Sequence, residues 1–159
     1  MGCKRVDRSE DSSRWGWLRP RLALALLLLA GAASANDINS SEVVVVVAAA
    51  SPLESLSQAA LSDVFLGRTS RLPDGRPAVA LDLREGSSAR AEFYETYLGR
   101  SAAQIKAHWS KIIFTGRGSP PREVANGLEM RRLVAQDPGA IGYLELSLVD
   151  DSVKKVRIE

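Results

Sequence analysis

Val43-Val44-Val45-Val46-Val47-Ala48 is a run of five β-branched residues closed by alanine, and its reading decides the fold. A strand with one wet face alternates apolar and polar residues. A strand that is apolar throughout needs cover on both faces, as in a parallel sheet flanked by helices. The same string left at an open edge would be an aggregation hazard. Ser51-Pro52 ends the run. Ser57 then reads as a helix N-cap, with Leu56 before it and Leu61 four residues after it at the spacing of a hydrophobic staple, and Gly67 stops the helix after Val64, Phe65 and Leu66. The unit is a strand followed by a helix.

Downstream, Leu72-Pro73-Asp74-Gly75-Arg76-Pro77 is dense in turn residues, and Ala78–Leu83 reads as a second strand. From Ala89 a helix places Phe93 and Tyr97 on one face, with Tyr94 and Leu98 beside them, and Gly99 closes it. Ser101-Ala102-Ala103-Gln104 is a capping box that opens a helix with Ile105, Trp109 and Ile112 inward. Thr115–Pro121 is a loop. Asn126 with Glu129 caps a helix carrying Met130, Leu133 and Val134, which Asp137-Pro138-Gly139 ends. Ala140–Leu146 and Val153–Ile158 read as two strands around an Asp150-Asp151 turn. Strands alternating with helices make the fold class α/β, with helices flanking a mostly parallel sheet in a single compact domain.

Upstream, residues 1–35 carry six basic residues, the apolar stretch Leu22–Gly31 and the small-residue site Ala33-Ser34-Ala35, the pattern of a secretory signal peptide. The apolar stretch is shorter than the ~20 residues a spanning helix needs. The expected product is therefore exported to the periplasm and does not span the membrane after cleavage. This segment holds 6 of the 21 Lys and Arg and 3 of the 19 Asp and Glu, leaving 15 against 16, a net charge of −1. The basic character of the whole chain thus belongs to the leader and gives no support to nucleic-acid binding. Cys3, the only cysteine, leaves with it, so disulfide and thiolate chemistry are excluded from the remainder. Residues 36–159, 124 in number (159 less 35), fit one domain.

The candidate site is Asp82-Leu83-Arg84-Glu85-Gly86-Ser87-Ser88-Ala89-Arg90. A glycine followed by small hydroxyl residues lets backbone N–H and side-chain O–H donors converge at a helix start, where the macrodipole also favours an anion. Arg84, Gly86, Ser87, Ser88, Ala89 and Arg90 are the candidate anion ligands, and Ser51, at the carboxyl end of the first strand, joins them. The same serines also describe an ordinary N-cap, and Asp82 and Glu85 compete for Arg84. Thr115-Gly116-Arg117-Gly118-Ser119 lacks the Lys-Ser/Thr ending of a P-loop. His108 is the only histidine, so a transition-metal site has little to build on, and no cofactor is implied. No nucleophile is paired with a base, and the expectation is a protein that is not an enzyme.

Taken together, Val64-Phe65-Leu66-Gly67, Arg84-Glu85-Gly86-Ser87-Ser88-Ala89-Arg90 with Phe93 and Tyr97-Leu98-Gly99, Trp109 with Phe114-Thr115-Gly116, and Pro138-Gly139-Ala140-Ile141-Gly142-Tyr143 resemble short PBP-like domain proteins. These are related to the phosphate-type periplasmic substrate-binding proteins of ABC transporters. The resemblance implies a type II periplasmic-binding-protein fold, inorganic phosphate or a related oxyanion as ligand, and an ABC transporter permease as partner. In that family a Ser-Gly-Thr at a helix start supplies donors. Ser87 keeps its hydroxyl here, while Ser88 and Ala89 stand where the glycine and threonine would be. Most of the family's first lobe is missing. Two readings follow: a reversible oxyanion-binding protein, or an exported structural or interaction module that keeps the fold and has lost the ligand.

Overall fold

The structure, a computed structural model, describes residues 42–159. The expected signal peptide, 1–35, lies outside the described residues. In chain order the elements are β1 (Val43–Ala48), β2 (Ser55–Leu56), α1 (Gln58–Phe65), β3 (Val79–Leu83), α2 (Ser88–Leu98), α3 (Ala102–Phe114), β4 (Arg122–Val124), α4 (Gly127–Gln136), β5 (Ala140–Glu145), a 3-10 turn (Leu146–Leu148), β6 (Val153–Lys155) and β7 (Arg157–Ile158). Ser57, Ser87, Ser101 and Asn126 each cap the helix that follows, and the Ser101–Gln104 capping box is complete.

Five strands form one sheet in the order β4-β3-β5-β1-β6, and β2 pairs with β7 in a separate two-stranded ribbon. The β4-β3 and β3-β5 pairs are parallel; β1 is antiparallel to both β5 and β6. Four strands therefore point one way, and the sheet is mostly parallel, with β1 reversed. The valine run is buried along its whole length, as its composition requires, but it is not a parallel strand. Burial on two faces demands apolar side chains whichever way the backbone runs, so the string specifies cover and is silent on direction.

Alternation along β5 shows how the faces are filled. Gly142 and its neighbour Tyr143 face opposite sides. On one side Gly142 lets α4 approach: a Cβ there would sit 2.5 Å from Met130 Sδ and 3.1 Å from Val134 Cγ2. On the other, Tyr143 packs with Phe93 of α2 and Phe65 of α1, ring centroids 3.9 and 6.0 Å away. Helices thus cover both faces of the sheet.

The two C-terminal strands do not form a hairpin around Asp150-Asp151. β5 and β6 flank β1 instead, Leu146 leaves the strand for the 3-10 turn, and the chain after Val156 departs to pair with β2. β2 and β4 have two and three residues of mixed polarity, too short to carry a periodic signal.

Candidate functional site

β3 ends at Leu83, and the chain turns through Arg84–Ser87 into α2. Ser87 N–H donates to the Arg84 carbonyl at 3.3 Å, with Gly86 at φ +91 as the third residue of the turn. That conformation favours glycine. The Ser87 hydroxyl accepts from Arg90 N–H at 3.4 Å. A serine oxygen so engaged still has its own proton to donate.

Beside this corner is a cavity of about 200 Å³, whose lining includes Ala89 of α2 and its N-cap Ser87, Gly127 of α4 and its N-cap Asn126, and Glu145 at the end of β5. Asn126 caps α4 by accepting from Glu129 N–H at 3.0 Å. Two helix starts therefore open on one space. The N–H groups of Ala89 and Gly127 have no acceptor within their own helices, and both macrodipoles present their positive ends there. The space lies beyond the carboxyl ends of the parallel strands β3, β4 and β5, the end at which ligands of open α/β sheets gather. Glu145 adds a half-buried carboxylate to the wall.

Between the sheet and α2 is a buried polar hub. Asp82, 5% exposed, accepts from Arg90 Nε at 3.0 Å and from the Tyr94 hydroxyl at 2.9 Å, and its other oxygen accepts from the Tyr143 hydroxyl. Tyr143 in turn accepts from Leu83 N–H at 3.1 Å, and the Arg90 guanidinium lies 5.1 Å from the Tyr94 ring centre. Burial, reinforced by the adjoining Asp82 carboxylate, pushes both phenols well above their ordinary range. Burial works against the Arg90 charge, but Asp82 outweighs it and holds the guanidinium protonated.

The predicted ligands are thus only partly assembled. Ser87 and Ala89 line the cavity; Gly86 and Ser88 shape the corner beside it. Arg84 is exposed, and among the described residues its side chain makes no hydrogen bond. Arg90 is committed to Asp82. Ser51 is at the opposite end of the sheet, where its hydroxyl accepts from Arg76 Nη2 at 3.0 Å. Because β1 runs against β5, pairing Val43 with Glu145 and Val47 with Ile141, its carboxyl end is remote from the α2 start. Neither carboxylate expected to compete for Arg84 does so: Asp82 pairs with Arg90 and Glu85 with Lys106, at 3.2 Å. His108 Nε2 bonds the Leu66 carbonyl at 3.0 Å. Asn126, Gly127 and Glu145 join the site without being among the residues the sequence points to. The sequence marks Asn126 only as a cap, and nothing local reveals that two caps meet.

In fold the chain is similar to part of several solved substrate-binding proteins of phosphate ABC transporters. A putative phosphate ABC transporter substrate-binding protein from Clostridium perfringens, solved with bound phosphate, superposes with TM-score 0.57 at 21% identity, over 73% of this chain and 44% of that one. An ABC-type phosphate transport receptor from Vibrio cholerae gives 0.57 at 20% identity, over 73% and 45%. A possible phosphate binding protein from Planctomyces limnophilus gives 0.54 at 17%, over 74% and 41%. The chain spans less than half the length of each. No family profile and no curated protein matches the sequence. No helix among the described residues is long and apolar enough to cross a membrane.

Proposed function

We propose that the protein binds phosphate or a similar oxyanion reversibly in the cavity between the starts of α2 and α4, and performs no chemistry on it. The convergence of two helix N-termini on one small space carries this reading. The Ser87 hydroxyl and the N–H groups of Ala89 and Gly127 would hold the anion, and Arg84, next to the cavity with no described partner, would swing over it. Similarity of fold to phosphate-binding proteins supports the choice of ligand. Glu145 sharpens it: a carboxylate accepts a hydrogen bond from hydrogenphosphate, whereas sulfate at neutral pH has no proton to give and is repelled. Asp82 does not fill this role, because it is buried against Arg90, Tyr94 and Tyr143 and is not part of the cavity wall.

Export to the periplasm by way of residues 1–35, and delivery of the anion to an ABC transporter permease, complete the proposal. Isothermal titration of the protein with phosphate tests it. Heat of binding that is lost in Ser87→Ala and weakened in Arg84→Ala is the expected result; no heat at millimolar phosphate overturns it. The second reading, an exported module that keeps the fold without the ligand, draws on the commitment of Arg90 to Asp82 and on Ala89, which offers no side-chain donor.

A further inference from the structure

The surface of α3 has no part in the anion site, yet it carries the most exposed large apolar residue among the described residues. Phe114, the last residue of the helix, is 95% exposed, and Ile113 beside it is 57% exposed. Neither rests on the core. Ile105 and Trp109 form the buried face of α3, and Phe114, nine residues beyond Ile105, is about half a turn away from that face.

The charge along this stretch of the chain is of one sign. From Thr96 to Arg122 the chain has Arg100, Lys106, Lys111, Arg117 and Arg122, and no aspartate or glutamate. Lys106 is neutralised by Glu85. Lys111 is three residues before Phe114, on the same side of the helix, and Arg117 follows just past the αL glycine Gly116. Both are exposed, and among the described residues neither is ion-paired.

We infer that the tip of α3, Phe114 and Ile113 flanked by Lys111 and Arg117, is an interfacial anchor that seats on an anionic phospholipid bilayer. An aromatic ring and one aliphatic side chain enter the boundary between headgroups and acyl chains, while the two cations bind lipid phosphates above them. Size and charge select this occupant. Two apolar side chains fall well short of the ~800 Å² per partner that a stable protein interface buries. A second copy would bring the same cations face to face. A bilayer needs neither area nor shape complementarity, only an apolar phase beneath negative charge. The inference is independent of the anion cavity.

Co-sedimentation of the full-length protein tests it, with vesicles of phosphatidylcholine alone and of phosphatidylcholine and phosphatidylglycerol in equal parts. Phe114→Ser and the pair Lys111→Gln/Arg117→Gln, all at exposed positions, should keep the parent's unfolding temperature. Each should weaken partition onto the mixed vesicles on the order of tenfold, and the charge variant should also lose the preference for phosphatidylglycerol. The difference in emission between Phe114→Trp and the parent, which has three tryptophans of its own, should move to the blue with mixed vesicles and stay in place with phosphatidylcholine. Equal partition by parent and variants, including affinity carried by another part of the chain, overturns the inference when the Phe114→Trp emission also stays unmoved. Self-association that Phe114→Ser abolishes, seen by sedimentation velocity, assigns the tip to a second copy and overturns it as well.

Discussion

The rings of Phe93 and Tyr143 lie face to face, 3.9 Å between centroids and 3° from parallel, which clamps the middle of α2 onto β5. Phe65 closes on the same ring of Phe93 at 4.7 Å. Both members of the stack are fully buried. Phe93→Ala should therefore cost about 3–5 kcal/mol, with Phe93→Leu well below that, because the cavity left by the smaller change is smaller. Urea denaturation of the two variants measures the difference. Since α2 carries Ser87 at its start, Phe93→Ala should also weaken phosphate binding through misplacement.

Asp82 and Arg90 form an ion pair with side chains only 7% and 14% exposed. Removing one member strands the other, so Arg90→Ala should destabilise by about 3 kcal/mol. Lys106→Ala, which breaks the exposed pair with Glu85, should leave stability unchanged within error. Thermal unfolding of both variants side by side gives the contrast.

Alkaline pH should unfold the protein through its two buried phenols. Unfolded tyrosines ionise around their ordinary value of 10.0, while Tyr94 and Tyr143 keep their protons well beyond it. Above that pH the unfolded chain binds fewer protons than the folded one, so stability is intact below about pH 10 and falls as pH rises past it. These two groups together add roughly 2.7 kcal/mol per pH unit to the limiting slope. Tyr143→Phe should remove about half of that contribution in denaturation curves collected at a series of alkaline pH values.

Gly142 leaves no room for a side chain beneath α4. Gly142→Ala should cost about 1–3 kcal/mol by pushing Met130 and Val134 outward. Met130→Ala in the same chain should recover part of that loss, a coupling that a double-mutant cycle reads directly.

Glu145 governs anion choice in the proposed site. Glu145→Gln should raise affinity for sulfate relative to phosphate, because the repulsion is gone and the amide can donate. Competition titrations with the two anions check the ratio.

Local signals in the chain were legible: the valine run as a covered strand, the helix starts at Ser57, Ser87, Ser101 and Asn126, and the stop at Gly99. Each depends on residues within a turn of one another. The rest lives in contacts between distant residues. Tyr143 meets Asp82 across 61 positions, and nothing near Asp82 distinguishes a ligand acceptor from the centre of a hub. Ser51 went astray for the same reason: its position follows from the direction of β1, which burial does not encode. The site was half visible, because Ser87 announces itself through its glycine and its helix, whereas Asn126, Gly127 and Glu145 join only when β3, β4 and β5 are aligned.

The reversed strand also fixes an order of events during synthesis. β1 is the first strand of the described domain, yet both its neighbours, β5 and β6, come from residues 140–155. Five valines thus leave the ribosome with no native partner for their backbone until nearly the whole domain has been made. Pairing them closes a long loop, which slows folding, and for that interval the run is an unpaired, uncharged β-former of the sort that adds to other chains. The strand that anchors the finished core is the nascent chain's chief liability, and whatever holds it during transit protects the whole fold.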